Sequence, residues 1–411
     1  MHLFKLFSTK VTTLCLMIFS TFLKVNGQES THVFPSQEQV AKLMNEAMKS
    51  SDLPAVVAIA INNRGQRVTY TYGKAIWKEN RYVTPQHIFR IYSMTKLVTS
   101  IAAMQLVEKK LIGLDDDLSK LLPEMAAIPI LSDGKLIQPK NPITLRHLLT
   151  HTSGFGYSAT DEALSKFDRS KWDFKDLPRR FESGTRFLYG SSTDWAGRLV
   201  EKISNMSLEE YFRKNITGPL KMNRTWFNVP DSLKSWIVSR GWRGEDGKQP
   251  LSEQPDRIPV KPITEYSGGG GLFSTPDDYA RLLQCMLNYG TLNGVKILKK
   301  ETFLEMNKNQ IGDISVFNAE AYFNPGTCCN LNGITLPSSK WGLAWMIDND
   351  DKPFGRKAGT VLWGGLFNTY YYIDYKSGIA ASIYTQHLPF NHPQTTKLFE
   401  RFSELIYSGR Q

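Results

Sequence analysis

Apolar and polar positions alternate near both ends of the chain, which predicts β-strands in two separate regions. Near the N-terminus, the segments 54–61 and 67–72 predict two strands joined as a hairpin at Asn63-Arg64-Gly65. Ahead of them, Ser36 and Gln39 match a helix-capping box that is followed by a helical stripe of apolar residues. Further strands are predicted over 342–347, 361–366, 370–373 and 379–384, and a last helix over 394–407.

The section between these strands has mostly helical periodicity, broken by Gly and Pro. Strands at both chain ends imply one antiparallel sheet formed by both ends, with flanking helices and an inserted, mostly helical domain. The predicted fold class is therefore α+β. We expect the α/β part over about 33–100 and 340–411, and the helical and loop-rich part over about 101–339.

The first 27 residues have the pattern of a secretory signal peptide. Lysines precede and follow an apolar stretch over 11–23, and Val25-Asn26-Gly27 predicts cleavage after Gly27. An apolar stretch of about 13 residues is too short to span a bilayer comfortably. We therefore expect an exported protein, secreted or periplasmic, with no stable membrane insertion after signal cleavage.

Composition narrows the class of protein further. Of the 411 residues, 41% are apolar and 12% aromatic, enough for a large core and incompatible with general disorder. The formal net charge is +11, but the charges outside the leader alternate in sign, and no basic run is interleaved with aromatics. We therefore expect no nucleic-acid partner. The sequence leaves the oligomeric state open.

The cysteines outside the leader are Cys285, Cys328 and Cys329. An odd, sparse set is not a disulfide framework, and no C-x-x-C pattern suggests zinc. Whether Cys285 pairs with Cys328 or with Cys329 stays open. We expect no metal and no organic cofactor.

Candidate chemistry is concentrated at Ser93-Met94-Thr95-Lys96, which opens a strongly apolar predicted helix. Residues three apart on a helix share a face, and a desolvated lysine can take the proton of a serine hydroxyl. This is the S-x-x-K arrangement of penicillin-recognising serine enzymes. A second S-x-x-K, at 132–135, contains an Asp-Gly pair typical of a surface turn. The alternative interpretation of Ser93 is a helix N-cap.

Tyr189 directly precedes a predicted helix over 195–203. A phenol can serve as a base only where cations lower its pKa, and Lys96 would be such a cation. The alternative is a half-buried core tyrosine.

Two adjacent glycines, Gly364 and Gly365, lie inside a predicted strand that also contains Trp363. Such a pair indicates a bulge or a close approach of the backbone to a ligand. A backbone N–H there could complete an oxyanion hole with the Ser93 N–H. Crowded sheet packing is the alternative.

Other motifs predict structural roles. His147 and His151 are four apart, but no carboxylate accompanies them as in metalloprotease helices, so we expect satisfied structural imidazoles. No G-x-S-x-G elbow is present in the sequence. The glycines at 268–271 lack the Lys-Ser/Thr of a phosphate-binding loop, which favours a glycine-lined turn near the site.

In this order, the motifs resemble the serine β-lactamase/penicillin-binding-protein-like superfamily, over roughly residues 40–407. The likeness is greatest to family VIII carboxylesterases and related acyltransferases. It implies a β-lactamase/transpeptidase-like fold, with residues 28–411 as one serine hydrolase domain. It further implies Ser93 as nucleophile, Lys96 as its proton acceptor and Tyr189 as the second member of the base pair. Trp363, Gly364 and Gly365 become the substrate-binding strand, and the Leu366 N–H the second oxyanion donor.

Two departures from the β-lactamase pattern affect the expected substrate. The Tyr-x-Asn element becomes Tyr189-Gly190-Ser191, and the Lys-Thr-Gly element becomes Trp363-Gly364-Gly365. The first loses an amide that can hold a substrate amide. The second loses a cation whose contact with a carboxylate contributes about 1.5–3 kcal/mol.

The sequence therefore predicts an exported serine hydrolase that cleaves neutral, small-molecule esters through an acyl-enzyme on Ser93. The first alternative is a β-lactamase, D,D-peptidase or D-amino-acid amidase, which Trp363 disfavours. The alternative from another class is a non-catalytic relative that binds peptidoglycan or a partner, which an intact Ser93, Lys96 and Tyr189 disfavours.

Overall fold

Strands from both ends of the chain pair in one antiparallel sheet, as the sequence predicts. The computed structural model describes residues 32–254, 262–318, 322–328 and 334–409, and the predicted signal peptide lies outside these residues. The strands are β1 (Ala55–Asn62), β2 (Arg67–Gly73), β3 (Phe89–Arg90), β4 (Ile130–Ser132), β5 (Lys135–Ile137), β6 (Arg240–Trp242), β7 (Ser252–Gln254), β8 (Phe273–Ser274), β9 (Thr291–Leu292), β10 (Val295–Lys296), β11 (Lys340–Trp341), β12 (Met346–Ile347), β13 (Val361–Gly365), β14 (Thr369–Asp374), β15 (Ile379–Tyr384) and β16 (His387–Leu388).

The helices occupy the section between the two groups of strands and both chain ends. They are α1 (Gln37–Met48), α2 (Thr95–Glu108), α3 (Pro123–Ala126), α4 (Leu145–Leu149), α5 (Glu162–Ser165), α6 (Ser192–Ser204), α7 (Leu208–Phe212), α8 (Asp231–Lys234), α9 (Pro276–Leu287), α10 (Lys300–Met306) and α11 (Pro393–Ser408), with a 3₁₀ turn at Tyr92–Met94. Long irregular connections separate them.

The main sheet has the strand order β11-β12-β13-β14-β15-β1-β2, seven strands within the described residues. The chain ends meet where β1 pairs with β15, with Val57 opposite Tyr384. The predicted hairpin of β1 and β2 is confirmed, and its turn is held by the Asn62 side chain, which accepts from the Arg64 and Gln66 N–H groups. The N-terminal strands β1 and β2 therefore belong to the same sheet as the C-terminal strands β11 to β15.

Both faces of this sheet are covered by helices. Tyr371 contacts Tyr279 of α9, whereas the next residue, Tyr372, contacts Phe399 and Tyr407 of α11. Because successive strand residues point to opposite faces, α9 and α11 lie on opposite sides. All the residues of β13, β14 and β15 are buried accordingly. The capping box of α1, which packs beside α11, is confirmed.

The competing S-x-x-K at 132–135 forms the turn between β4 and β5. Asp133 and Gly134 have positive φ angles of 48° and 74°, as an Asp-Gly hairpin turn requires. Only the motif at Ser93 lies beside the main sheet.

Candidate active site

Ser93 lies in the 3₁₀ turn that runs directly into α2. The preceding residue, Tyr92, has a φ of 41°, a left-handed conformation that costs energy in a residue with a side chain. Two contacts hold this turn: the Tyr92 ring lies 4.6 Å from the Phe367 ring, and the Tyr279 hydroxyl donates to the Met94 carbonyl at 2.9 Å. The candidate nucleophile is thus fixed by residues far away in the chain.

Lys96 is buried one turn along α2 from Ser93, and its Nζ has three acceptors. It donates to Ser93 Oγ at 3.1 Å, to the Tyr157 hydroxyl at 3.2 Å and to the Gly269 carbonyl at 2.7 Å. An ammonium has three N–H donors, so these contacts satisfy the protonated form. Burial lowers the pKa of Lys96, but Tyr157, Tyr189 and Asp194 together outweigh it and raise that pKa above its usual value.

Tyr157 was not predicted, yet its hydroxyl is bonded to Lys96. Burial raises the pKa of Tyr157, and the neighbouring Lys96 only partly offsets this. Tyr157 follows a Gly-rich connection after α4 with no periodic pattern. The available signal was its position just after a segment included in the family resemblance.

A close backbone contact places the side chains of Tyr157 and Tyr189 next to each other. A Cβ at Gly190 would lie 2.2 Å from the Phe155 carbonyl and 2.5 Å from Gly156 Cα, so only glycine permits the approach. As a result, the two tyrosine rings lie 5.9 Å apart, and Lys96 Nζ lies within 5.5 Å of both ring centroids.

The Tyr189 ring lies 4.8 Å from Lys96 Nζ, in cation–π contact. Its hydroxyl accepts a hydrogen bond from Trp363 Nε1 at 2.9 Å. The sequence predicts that Tyr189 lies beside Lys96 and that Trp363 lies on the substrate-binding strand. The structure brings all three residues together. It did not foresee the hydrogen bond between Trp363 and Tyr189.

Asp194, at the start of α6, orders the glycine turn behind Lys96. Its Oδ1 accepts from Ser267 Oγ at 2.6 Å and from the Gly269 N–H at 3.0 Å. Gly269 therefore connects Asp194 to Lys96, because its N–H donates to the carboxylate and its carbonyl accepts from the ammonium. The glycine-lined turn near the site is confirmed, whereas Asp194 had no predicted role.

The end of β13 abuts the turn that carries Ser93. A Cβ at Gly365 would lie 2.1 Å from the Ile91 carbonyl. The α-carbon of Gly365 is therefore packed against that carbonyl, and its predicted contact with substrate stays a prediction. The next residue, Leu366, does line the cavity, and its N–H donates to no described residue. It is therefore available as an oxyanion donor beside Ser93.

These residues surround one cavity of about 420 Å³. Its described walls include Ser93, Tyr157, Tyr189, Asp194, Trp363, Gly364 and Leu366, with Ser158, Thr160, Ser267 and Thr327 adding hydroxyls. No arginine or lysine is among those lining residues, and Asp194 is the carboxylate among them. Except for the buried Lys96 ammonium behind it, the described part of the cavity lining offers no cation for a substrate carboxylate.

Arg356 precedes β13 in the chain but is not among the residues that line this cavity. It lies instead in a second cavity of about 540 Å³, where its Nη2 is 3.1 Å from Asp348 Oδ2. Its guanidinium also lies near the rings of Phe354 and Tyr372. Arg356 is therefore engaged away from Ser93.

The two histidines have the structural roles that were predicted. His147 belongs to the capping box of α4 with Thr144. His151 is buried among aromatic rings, with its ring centroid 4.5 Å from that of Tyr189. Burial and the nearby Lys96 hold the pKa of His151 well below its usual value, so it stays neutral. In the described ranges no group of three or more His, Cys, Asp or Glu could hold a metal ion.

Cys285 is buried and makes no disulfide with Cys328, while Cys329 lies outside the described residues. Among the helices that the structure describes, none is long and apolar enough to cross a membrane.

Comparison with known proteins gives one consistent result. The family model described as Beta-lactamase matches residues 40–403. The chain is 28% identical over 398 residues to monacolin J acid methylbutanoyltransferase from Aspergillus terreus, covering 89% of this chain and 94% of the relative. It is 28% identical over 328 residues to lovastatin esterase from Penicillium rubens, covering 71% and 77%. Among solved structures, unliganded simvastatin synthase from Aspergillus terreus is similar with a TM-score of 0.78 at 25% identity, covering 92% of this chain and 99% of that one.

Proposed function

The chain belongs to the Beta-lactamase family and is a serine hydrolase-type enzyme, and we propose that it is exported and cleaves neutral esters through an acyl-enzyme on Ser93. The observation that carries the proposal is the contact of Lys96 Nζ with Ser93 Oγ at the edge of a cavity whose described lining residues include no cation. Export rests on the leader pattern of residues 1–27. N-terminal sequencing of the exported protein should begin at Gln28.

The buried contacts suggest how the serine is activated. The fully bonded Lys96 ammonium cannot accept a proton, so the lysine and its tyrosine neighbours must first lose one proton as a group. Lys96 can then take the Ser93 proton while Oγ forms a bond with the ester carbonyl carbon. The Ser93 and Leu366 N–H groups would hold the resulting oxyanion. Release of the alcohol leaves the acyl-enzyme, which water then hydrolyses.

The charge of the cavity supports neutral substrates. A substrate carboxylate would have to lose water beside apolar walls and Asp194, and none of the lining residues that the structure describes is a cation that could compensate. This disfavours β-lactams and peptides that end in a carboxylate, the main alternative from the same family.

We expect a neutral short-chain ester to have a higher kcat/KM than the same ester carrying one free carboxylate. The measurement is kcat/KM for such a pair, with the carboxylate placed on the alcohol side. Arg356→Gln serves as the matched control, because Arg356 is engaged with Asp348 and its loss should leave the ratio of the two constants unchanged. A tenfold or larger preference for the charged ester, about 1.4 kcal/mol in transition-state binding, would contradict the esterase proposal and support a peptidase.

The raised pKa of Lys96 predicts that activity increases with pH. A raised pKa keeps the ammonium form populated through neutral pH, and this form cannot accept the Ser93 proton. The competent form therefore grows as pH rises, and kcat/KM should increase at least tenfold between about pH 6 and pH 9. Initial rates on a neutral ester, corrected for spontaneous hydrolysis, measure this. A flat or falling profile would show that Lys96 is already neutral at pH 6.

Acyl transfer to an alcohol is a second candidate, favoured by the similarity to a methylbutanoyltransferase over 89% of this chain. Both reactions share the acyl-enzyme and differ only in whether water or an alcohol attacks it. Mass spectrometry of products formed with a primary alcohol present separates the free acid from the transferred ester.

A further inference from the structure

Trp363, a residue of the predicted substrate-binding strand, has a specific polar partner for its indole N–H. The side chain is 4% exposed, and Nε1 donates to the Tyr189 hydroxyl at 2.9 Å. An indole N–H can only donate, so the phenolic oxygen must be the acceptor in this contact. The Tyr189 proton therefore cannot point toward Trp363.

The surroundings of Tyr189 restrict where its proton can go. His151, Trp341 and Trp363 pack around the ring, with centroids 4.5, 6.1 and 4.7 Å away. Tyr189 lines the cavity that Ser93 also lines, and a second, smaller cavity beside it. A proton donated from Tyr189 into the first of these cavities would lie beside the nucleophile.

Any negative charge that develops on Tyr189 would be stabilised from two sides. The Trp363 N–H already contacts the phenolic oxygen, and Lys96 Nζ lies 4.8 Å from the ring. Hydrogen bonds to an ionised group are stronger than those to the neutral group, so the Trp363 contact strengthens as the proton leaves.

We infer that Trp363 is a positioning residue whose indole N–H holds the Tyr189 hydroxyl so that its proton goes to the oxygen of the leaving alcohol. The inference deepens the proposed function and rests on it. In this step the carbonyl carbon–alkoxy oxygen bond breaks, the alkoxy oxygen takes the Tyr189 proton, and a phenolate forms on Tyr189. Lys96, which took the Ser93 proton, returns a proton to Tyr189. Over the whole step, Ser93 loses one proton and the released alcohol gains one.

The test compares two esters of the same acid that differ in how much their leaving group needs a proton. p-Nitrophenolate can depart as the anion, whereas ethoxide is a poor leaving group and needs a proton to depart as ethanol. In Trp363→Phe, kcat/KM for the ethyl ester should fall about 10- to 100-fold more than kcat/KM for the p-nitrophenyl ester, because a hydrogen bond to a charged oxygen is lost. A structural defect would lower both constants by the same factor.

Three further variants make the result decisive. Incorporation of 3-benzothienylalanine at 363 keeps the shape and removes only the N–H, so it should reproduce the leaving-group effect even if Trp363→Phe folds poorly. Trp341→Phe is the matched control: its ring lies 4.7 Å from that of Trp363, but its N–H donates to the Leu149 carbonyl, so both esters should be affected equally. In a Tyr189→Phe background, replacing Trp363 should produce no further leaving-group effect.

An equal loss for both esters in the benzothienylalanine protein would overturn the inference and leave Trp363 as a wall. Failure of the proposed function looks different: the wild-type enzyme would then turn over neither ester, or would do so without acylation of Ser93.

Discussion

Replacement of Ser93 with alanine is expected to abolish ester cleavage, with kcat lower by on the order of 10⁴-fold or more. The serine Oγ is the atom that Lys96 contacts at 3.1 Å, and without it no acyl-enzyme can form. Intact-mass spectrometry after treatment with a fluorophosphonate probe should show one adduct on the wild-type protein and none on Ser93→Ala.

The second S-x-x-K provides a matched control for this experiment. Ser132 lies at the β4–β5 turn, outside the cavity that Ser93 lines, so Ser132→Ala should retain both activity and adduct. An adduct that persists on Ser93→Ala would disprove the assignment of the nucleophile.

Removal of Lys96 or of the Tyr157 hydroxyl should each lower kcat by on the order of 10²–10⁴-fold. The reason is their shared proton: Lys96 donates to Tyr157 at 3.2 Å, and neither group can relay the Ser93 proton as effectively alone. The double variant Lys96→Ala/Tyr157→Phe should therefore be little slower than either single variant. Kinetics of the four proteins of this cycle, on one neutral ester, measure the effect.

Lys109→Ala, which alters an exposed lysine just beyond the end of the same helix, controls for loss of a positive charge and should leave kcat unchanged. Tyr189→Phe should also reduce kcat, most of all for alkyl esters. Losses that multiply in the Lys96/Tyr157 double variant would mean that the two groups act independently.

The parts of the site set by short-range spacing were predictable from the sequence. Ser93 and Lys96 are adjacent because they lie one helical turn apart, and the Asn63-Arg64-Gly65 turn carries its own geometry. The superfamily resemblance and the fold that it implies are likewise confirmed. Period, turn chemistry and capping specify such features locally.

The parts of the site that are set by contacts between distant segments were not predictable from the sequence. The Tyr157 hydroxyl reaches Lys96 across 61 positions, and the Trp363 N–H reaches Tyr189 across 174. Neither pairing leaves a periodic signal, because each joins segments far apart in the chain. The first also follows from the close approach of Gly190 to the backbone of residues 155–156. Gly365 makes a contact of this long-range kind: the Ile91 carbonyl occupies the space where a side chain would be, and no local pattern in the sequence indicates it.

The pairing of β1 with β15 also has a consequence for biosynthesis. A nascent chain that already contains Ser93, Lys96 and both tyrosines still lacks the strand that carries Trp363 and Leu366, and β15 follows later still. Since domains form from contacts that the growing chain can make, the part of the sheet beside the nucleophile cannot form until β13 and its neighbouring strands have been synthesised. A chain that stops before β13 would therefore contain Ser93 and Lys96 but lack Trp363 and Leu366, which line the same cavity.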